Sequence, residues 1–108
     1  MQYALLAYGQ HSSEHIAPDI AALLHRQVVA GWLRLHADES ATTLHHTNGQ
    51  LLLTDGPFVD SKEYLAGVIL IEADDLDGAL AIAREFQNTR TSGAIEIRPV
   101  LESTIGAA

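Results

Sequence analysis

The chain has 108 residues, enough for one domain around one core and too few for two. Apolar residues make up 47% and charged residues 19%, which excludes a disordered composition, and no apolar run approaches the ~20 residues of a membrane-spanning helix. Fourteen acidic against six basic residues give a formal charge of −8, and the cations (Arg26, Arg34, Lys62, Arg84, Arg90, Arg98) are scattered, so neither nucleic acid nor a membrane surface is an expected partner.

Cysteine is absent, so disulfides and thiolate metal sites are excluded. The opening Met1-Gln2-Tyr3-Ala4-Leu5-Leu6 lacks the basic leader and cleavage site of a signal peptide, and a cytoplasmic location is expected. Tyr3 to Tyr8 alternates as a first strand, ended by Gly9 and a polar stretch. After Pro18, Asp19 is placed to cap a helix reaching about Ala30, with Ile20, Leu23, Leu24 and Val28 at helical spacing and Gly31 as its stop. Trp32, Leu33 and Leu35 then lead towards the next strand. Thr42–Thr47 and Gln50–Thr54 flank Asn48-Gly49, a pair suited to the two positive-φ positions of a type I′ hairpin turn.

A polar loop from Asp55 to Tyr64 precedes a strand over Leu65–Ala73. Asp74 and Asp75 are placed to cap a second helix, with Asp77 near the positive end of its dipole and Leu76, Ala79, Leu80, Ala83 and Phe86 on one stripe. Ala94–Val100 reads as a closing strand, and Pro99 sets it at an edge because proline has no N–H for a ladder bond. The result is an α+β domain of order β-α-β-β-β-α-β over residues 1–101, with 102–108 as a C-terminal tail. Leu51-Leu52-Leu53 and Val68-Ile69-Leu70-Ile71 do not alternate, so both sheet faces read as apolar. Two helices cover only one face, and a homodimer through the other sheet face is the economical way to cover it.

The candidate site is the turn Asp55-Gly56-Pro57 with Phe58 beside it. Asp55 is the candidate catalytic base or hydrogen-bond acceptor at a strand end, and Phe58, Lys62, Glu63, His45 and Arg98 are candidate ligand-binding groups for a small polar molecule. Asp60 and Tyr64 add to this ionisable stretch. No metal site is expected: His11 and His15 share an i, i+4 spacing but precede Pro18 in a loop, while His45 and His46 are adjacent on a strand and point to opposite faces. His25 reads as a structural histidine. No phosphate-binding glycine loop or serine elbow is present, and no cofactor is expected.

The stretch Thr54-Asp55-Gly56-Pro57-Phe58-Val59-Asp60-Ser61-Lys62-Glu63-Tyr64-Leu65-Ala66-Gly67 resembles the signature of the DGPF branch of the YCII-related superfamily. The flanks Tyr3–Gly9, Ala41–Leu44 and Ile95–Val100 agree with it. The resemblance implies a ferredoxin-like fold that pairs sheet to sheet, in the manner of dimeric α+β barrels. It also implies a small-molecule pocket near Asp55, or alternatively a non-catalytic regulatory module linked to sigma-factor-type transcription. The family's usual Thr-Val-Arg before the hairpin is replaced by Thr43-Leu44-His45, so a permanent cation becomes a titratable imidazole. His25 does not match the histidine of the YCII branch, and an Asp/His pair does not carry over intact.

Overall fold

The computed structural model describes residues 1–9, 15–59 and 62–106. In chain order the elements are β1 (Gln2–Gly9), α1 (Pro18–Leu24), β2 (Val29–Arg34), a 3-10 turn (Asp38–Ser40), β3 (Thr42–Thr47), β4 (Gln50–Asp55), β5 (Tyr64–Glu72), α2 (Leu76–Gln87) and β6 (Ala94–Pro99). Four strands form one antiparallel sheet in the order β2-β5-β1-β6, and β3 pairs only with β4 in a separate hairpin. This order is compatible with a ferredoxin-like β-α-β-β-α-β fold into which the hairpin is inserted between β2 and β5.

The first helix departs from the sequence expectation. It stops at Leu24 instead of reaching Ala30, and residues 29–34 form a strand that the periodicity does not show. The helical spacing of Val28 is overridden by pairing: Val29, Trp32 and Arg34 lie opposite Ile71, Ile69 and Gly67 of β5. Strand preference is largely a matter of such cross-strand packing, and Val, Trp and Leu suit it. Gly31 is therefore not a helix stop; it sits at an irregularity in the β2–β5 register. Asp19 does not cap the helix; its Oδ1 accepts from the N–H of the adjacent Ile20, and Ala17 stands at the cap position.

Other local expectations hold. Asp75 caps α2, its Oδ1 accepting from Gly78 N at 2.9 Å, and Asp77 lies in the first turn. Asn48 and Gly49 take φ of 52° and 78°, the two positive values of a type I′ turn. β6 is an edge strand and ends at Pro99.

Strand alternation and register sort the sheet into two faces. One carries three cross-strand rows: Val29-Ile71-Tyr3, then Trp32-Ile69-Leu5-Ile97, then Arg34-Gly67-Ala7-Ile95. Against it pack Leu24 of α1 and Ala79, Ile82, Ala83 and Phe86 of α2, so the core lies wholly between this face and the helices. Ile82 joins the stripe expected for α2, whereas Leu76 at its start is exposed. The opposite face carries Leu33-Val68-Leu6-Glu96 and Gly31-Leu70-Ala4-Arg98. Its central apolar side chains are only half-buried, and no helix among the described residues covers them. The C-terminal segment folds back at one end of this face: Gln2 Nε2 donates to Ile105 O, and Ile105 Cγ2 approaches Gly31.

Leu5 and Ile71 are fully buried, each worth about 2–3 kcal/mol of transfer free energy. Leu5→Ala is expected to lower unfolding stability by about 2–5 kcal/mol, against less than about 1.5 kcal/mol for Leu76→Ala at the exposed start of α2, as read by urea denaturation. Equal losses at the two positions would contradict the burial of Leu5 beneath the helices.

Candidate functional site

The third row of the covered face holds Gly67 and Ala7 where the first two rows hold Ile71 and Tyr3 or Ile69 and Leu5. This change in side-chain volume leaves a half-open cavity of about 570 Å³ between the sheet and the helices. The size falls within the range typical of small-molecule sites, roughly 300–1,000 Å³. Trp32, Ile69 and Ile95 line it from the sheet, Ile16, Ile20 and Leu24 from α1 and its approach, and Phe86 from α2. Among the described residues, the polar side chains on its wall are His15, Arg34, Thr89 and Arg90. Gly67 is required on a second ground, because a Cβ there would meet Leu33 O at 2.7 Å.

Arg90 fastens one end of the cavity. Its Nη1 donates to Gln87 Oε1 at 3.1 Å and to Ala94 O at 3.0 Å, and its Nη2 donates to Tyr8 O. The guanidinium thus ties the loop after α2 to the ends of β1 and β6. Gly9 and Gly93 make room for it: an added Cβ at either would collide with Arg90 Nη2, and Gly93 also has φ of +85°. Thr89 Oγ1 donates back to Phe86 O, closing the helix end.

None of the six site residues expected from sequence lines this cavity. Asp55 ends β4 opposite Thr42, exposed, and its carboxylate has no side-chain partner among the described residues. The turn after it is pinned by Gly56 N donating to Ala41 O and Thr43 Oγ1 donating to Gly56 O, both at 2.8 Å. His45 and Phe58 do come together, with ring centroids 5.9 Å apart and planes at 53°, and His45 Nδ1 lies 3.1 Å from Thr47 Oγ1. Alternation along the hairpin puts Asp55 on the face of Thr42 and Leu44, and His45 on the other. Lys62 and Glu63 are exposed just before β5, and Arg98 stands on β6 in the uncovered face of the main sheet. Asp60 and His11 lie outside the described residues.

The residues that sequence reading missed are Trp32, Arg34 and Arg90. Trp32 and Arg34 are two apart, the spacing that puts both on one face of a strand. That signal is legible only once residues 29–34 are recognised as a strand.

A four-stranded antiparallel sheet with both helices on one face, and a cavity beneath them, defines a small α+β domain. The sequence matches the YCII-related domain over residues 1–104, and the chain belongs to that family. It is also 37% identical to an uncharacterized protein of Rhizobium meliloti (strain 1021), over 93% of this chain and 92% of that protein.

The Asp55 turn yields a direct test of whether its carboxylate is structural. Asp55→Ala is expected to change stability by no more than about 0.5 kcal/mol, since nothing among the described residues partners the side chain. Gly56→Ala should cost about 1 kcal/mol through its φ of 98° alone, because no atom lies within 4 Å of the added methyl. A larger loss for Asp55→Ala than for Gly56→Ala in thermal unfolding would show that the carboxylate braces the turn.

Proposed function

We propose that this YCII-related protein, of the DGPF branch by its Thr54–Gly67 motif, binds a small molecule in the cavity between its sheet and helices and works as a homodimer. The cavity carries the first half of this reading: it is ligand-sized, apolar-walled and bordered by a few polar groups, the usual constitution of a small-molecule site. No catalytic step is assigned to it. Asp55 belongs to the hairpin and not to the cavity wall, so in this reading the exposed carboxylate does not form the floor of the site.

The hairpin supports the second half. Leu44, Leu51 and Leu53 share one of its faces and are 63%, 62% and 65% exposed. A two-stranded hairpin that buries no apolar face of its own is marginally stable in water. The half-buried Leu6, Val68, Leu70 and exposed Leu33 on the uncovered sheet face present a second apolar surface on the same chain. A second copy that covers both surfaces removes two exposed apolar patches by one symmetric contact. The cavity favours this ligand-binding reading over a pure interaction module of the sigma-factor-linked kind.

Two measurements check it. Ala7→Phe places a ring on the cavity floor and is expected to abolish the change in Trp32 emission that ligands from a metabolite screen produce, while leaving the fold intact by circular dichroism. Persistence of every wild-type response in this variant would move the site elsewhere. In sedimentation, the wild-type chain is expected to run as a dimer and the double variant Leu51→Ser, Leu53→Ser as a monomer; a monomeric wild type at micromolar concentration contradicts the dimer.

A further inference from the structure

Two of the six cations of this strongly acidic chain, Arg34 and Arg90, stand on the wall of one apolar cavity. The environment of Arg90 is unusual for a chain with 14 carboxylates. Its guanidinium is half-buried, and every partner it has among the described residues is neutral: the Gln87 side-chain oxygen and the carbonyls of Ala94 and Tyr8. No carboxylate among the described residues pairs with it, whereas Arg26 is paired with Glu85. Three of the five N–H donors of an arginine are used in this clamp, which fixes the plane of the group and leaves two. A positive charge held rigidly beside apolar walls, with hydrogen bonds but no counter-charge among the described residues, is strongly attractive to an anion that can follow it into the cavity.

Resting on the reading of the cavity as a binding site, we infer that its ligand is a small apolar carboxylate. Its hydrocarbon body lies against Trp32, Ile69 and Phe86, and its anionic head is drawn to Arg90 on one wall and Arg34 on another. The apolar walls exclude inorganic anions and sugars, which would lose hydration without replacement hydrogen bonds. The cations disfavour a neutral hydrocarbon, which would leave the charge of Arg90 cut off from water and unpaired. The preference for an acid over its neutral isostere thus comes from the charge, and the preference for an apolar body comes from the walls.

Trp32 is the single tryptophan of the chain, so its emission reports on the cavity without a label. Phenylacetate and hexanoate are titrated into the wild-type protein, each alongside its primary amide, with emission maximum and the Nε–Hε signals of the five arginines followed in parallel. Each acid is expected to bind at least tenfold more tightly than its amide, and to shift the side-chain signals of Arg34 and Arg90 while those of Arg26, Arg84 and Arg98 stay fixed. Arg34→Gln, which leaves the Arg90 clamp in place, should reduce the preference for acid over amide at least threefold. Equal binding of acid and amide overturns the anion preference and leaves the cavity as a binding site. Equal shifts of all five arginines overturn it as non-specific ion pairing, and no response of Trp32 to any of the four compounds overturns the cavity reading together with this inference.

Discussion

Everything in this fold follows from setting two helices on one face of a four-stranded sheet. Leu5 and Ile71 are fully buried there, and α2 presents Ala79, Ile82, Ala83 and Phe86 as a continuous stripe to receive them. The contact divides the molecule by function as well as by polarity. The covered face supplies stability through its large-residue rows and a cavity through its small-residue row. The other face keeps apolar side chains half in water, because no further element among the described residues reaches most of it.

The cavity is a consequence of residue size and helix length together. α1 has seven residues, just under two turns or about 10 Å, and cannot span the sheet as α2 does. Gly67 and Ala7 deepen the space beyond it, and the Arg90 clamp, threaded past Gly9 and Gly93, holds its end together. The same guanidinium that braces three chain segments therefore also charges the site. This dual role explains why an arginine and not a lysine suits the position: the planar fork satisfies several acceptors at once and still faces the cavity.

Much of this was legible in the sequence wherever a signal was local. Asn48-Gly49 required its hairpin turn, Asp75 its capping role, and Pro99 its edge, each because one residue's chemistry dictates one backbone geometry. The strand at 29–34 was not legible, because Ile20, Leu23, Leu24 and Val28 prolong a helical period that only pairing with β5 cuts short. Losing that strand hid the two side chains, Trp32 and Arg34, that best define the cavity. The Leu51-Leu52-Leu53 run has the pattern of a sheet apolar on both faces, yet it lies in a separate hairpin that leaves Leu51 and Leu53 exposed. Asp55-Gly56-Pro57 marks a constrained strand end in the sequence, but which residues share a face with it depends on register, and register separates it from His45.

In the proposed dimer, the helix-free face and the hairpin are covered by a second copy while the helix-covered face keeps its cavity. The most direct measurement is an isotope-filtered nuclear Overhauser experiment on an equal mixture of labelled and unlabelled chains. The account predicts intermolecular contacts to the methyls of Leu44, Leu51, Leu53, Leu6, Val68 or Leu70, and none to Ile69 or Ile95 in the cavity wall. Intermolecular contacts confined to the cavity wall, or none at all, would contradict it.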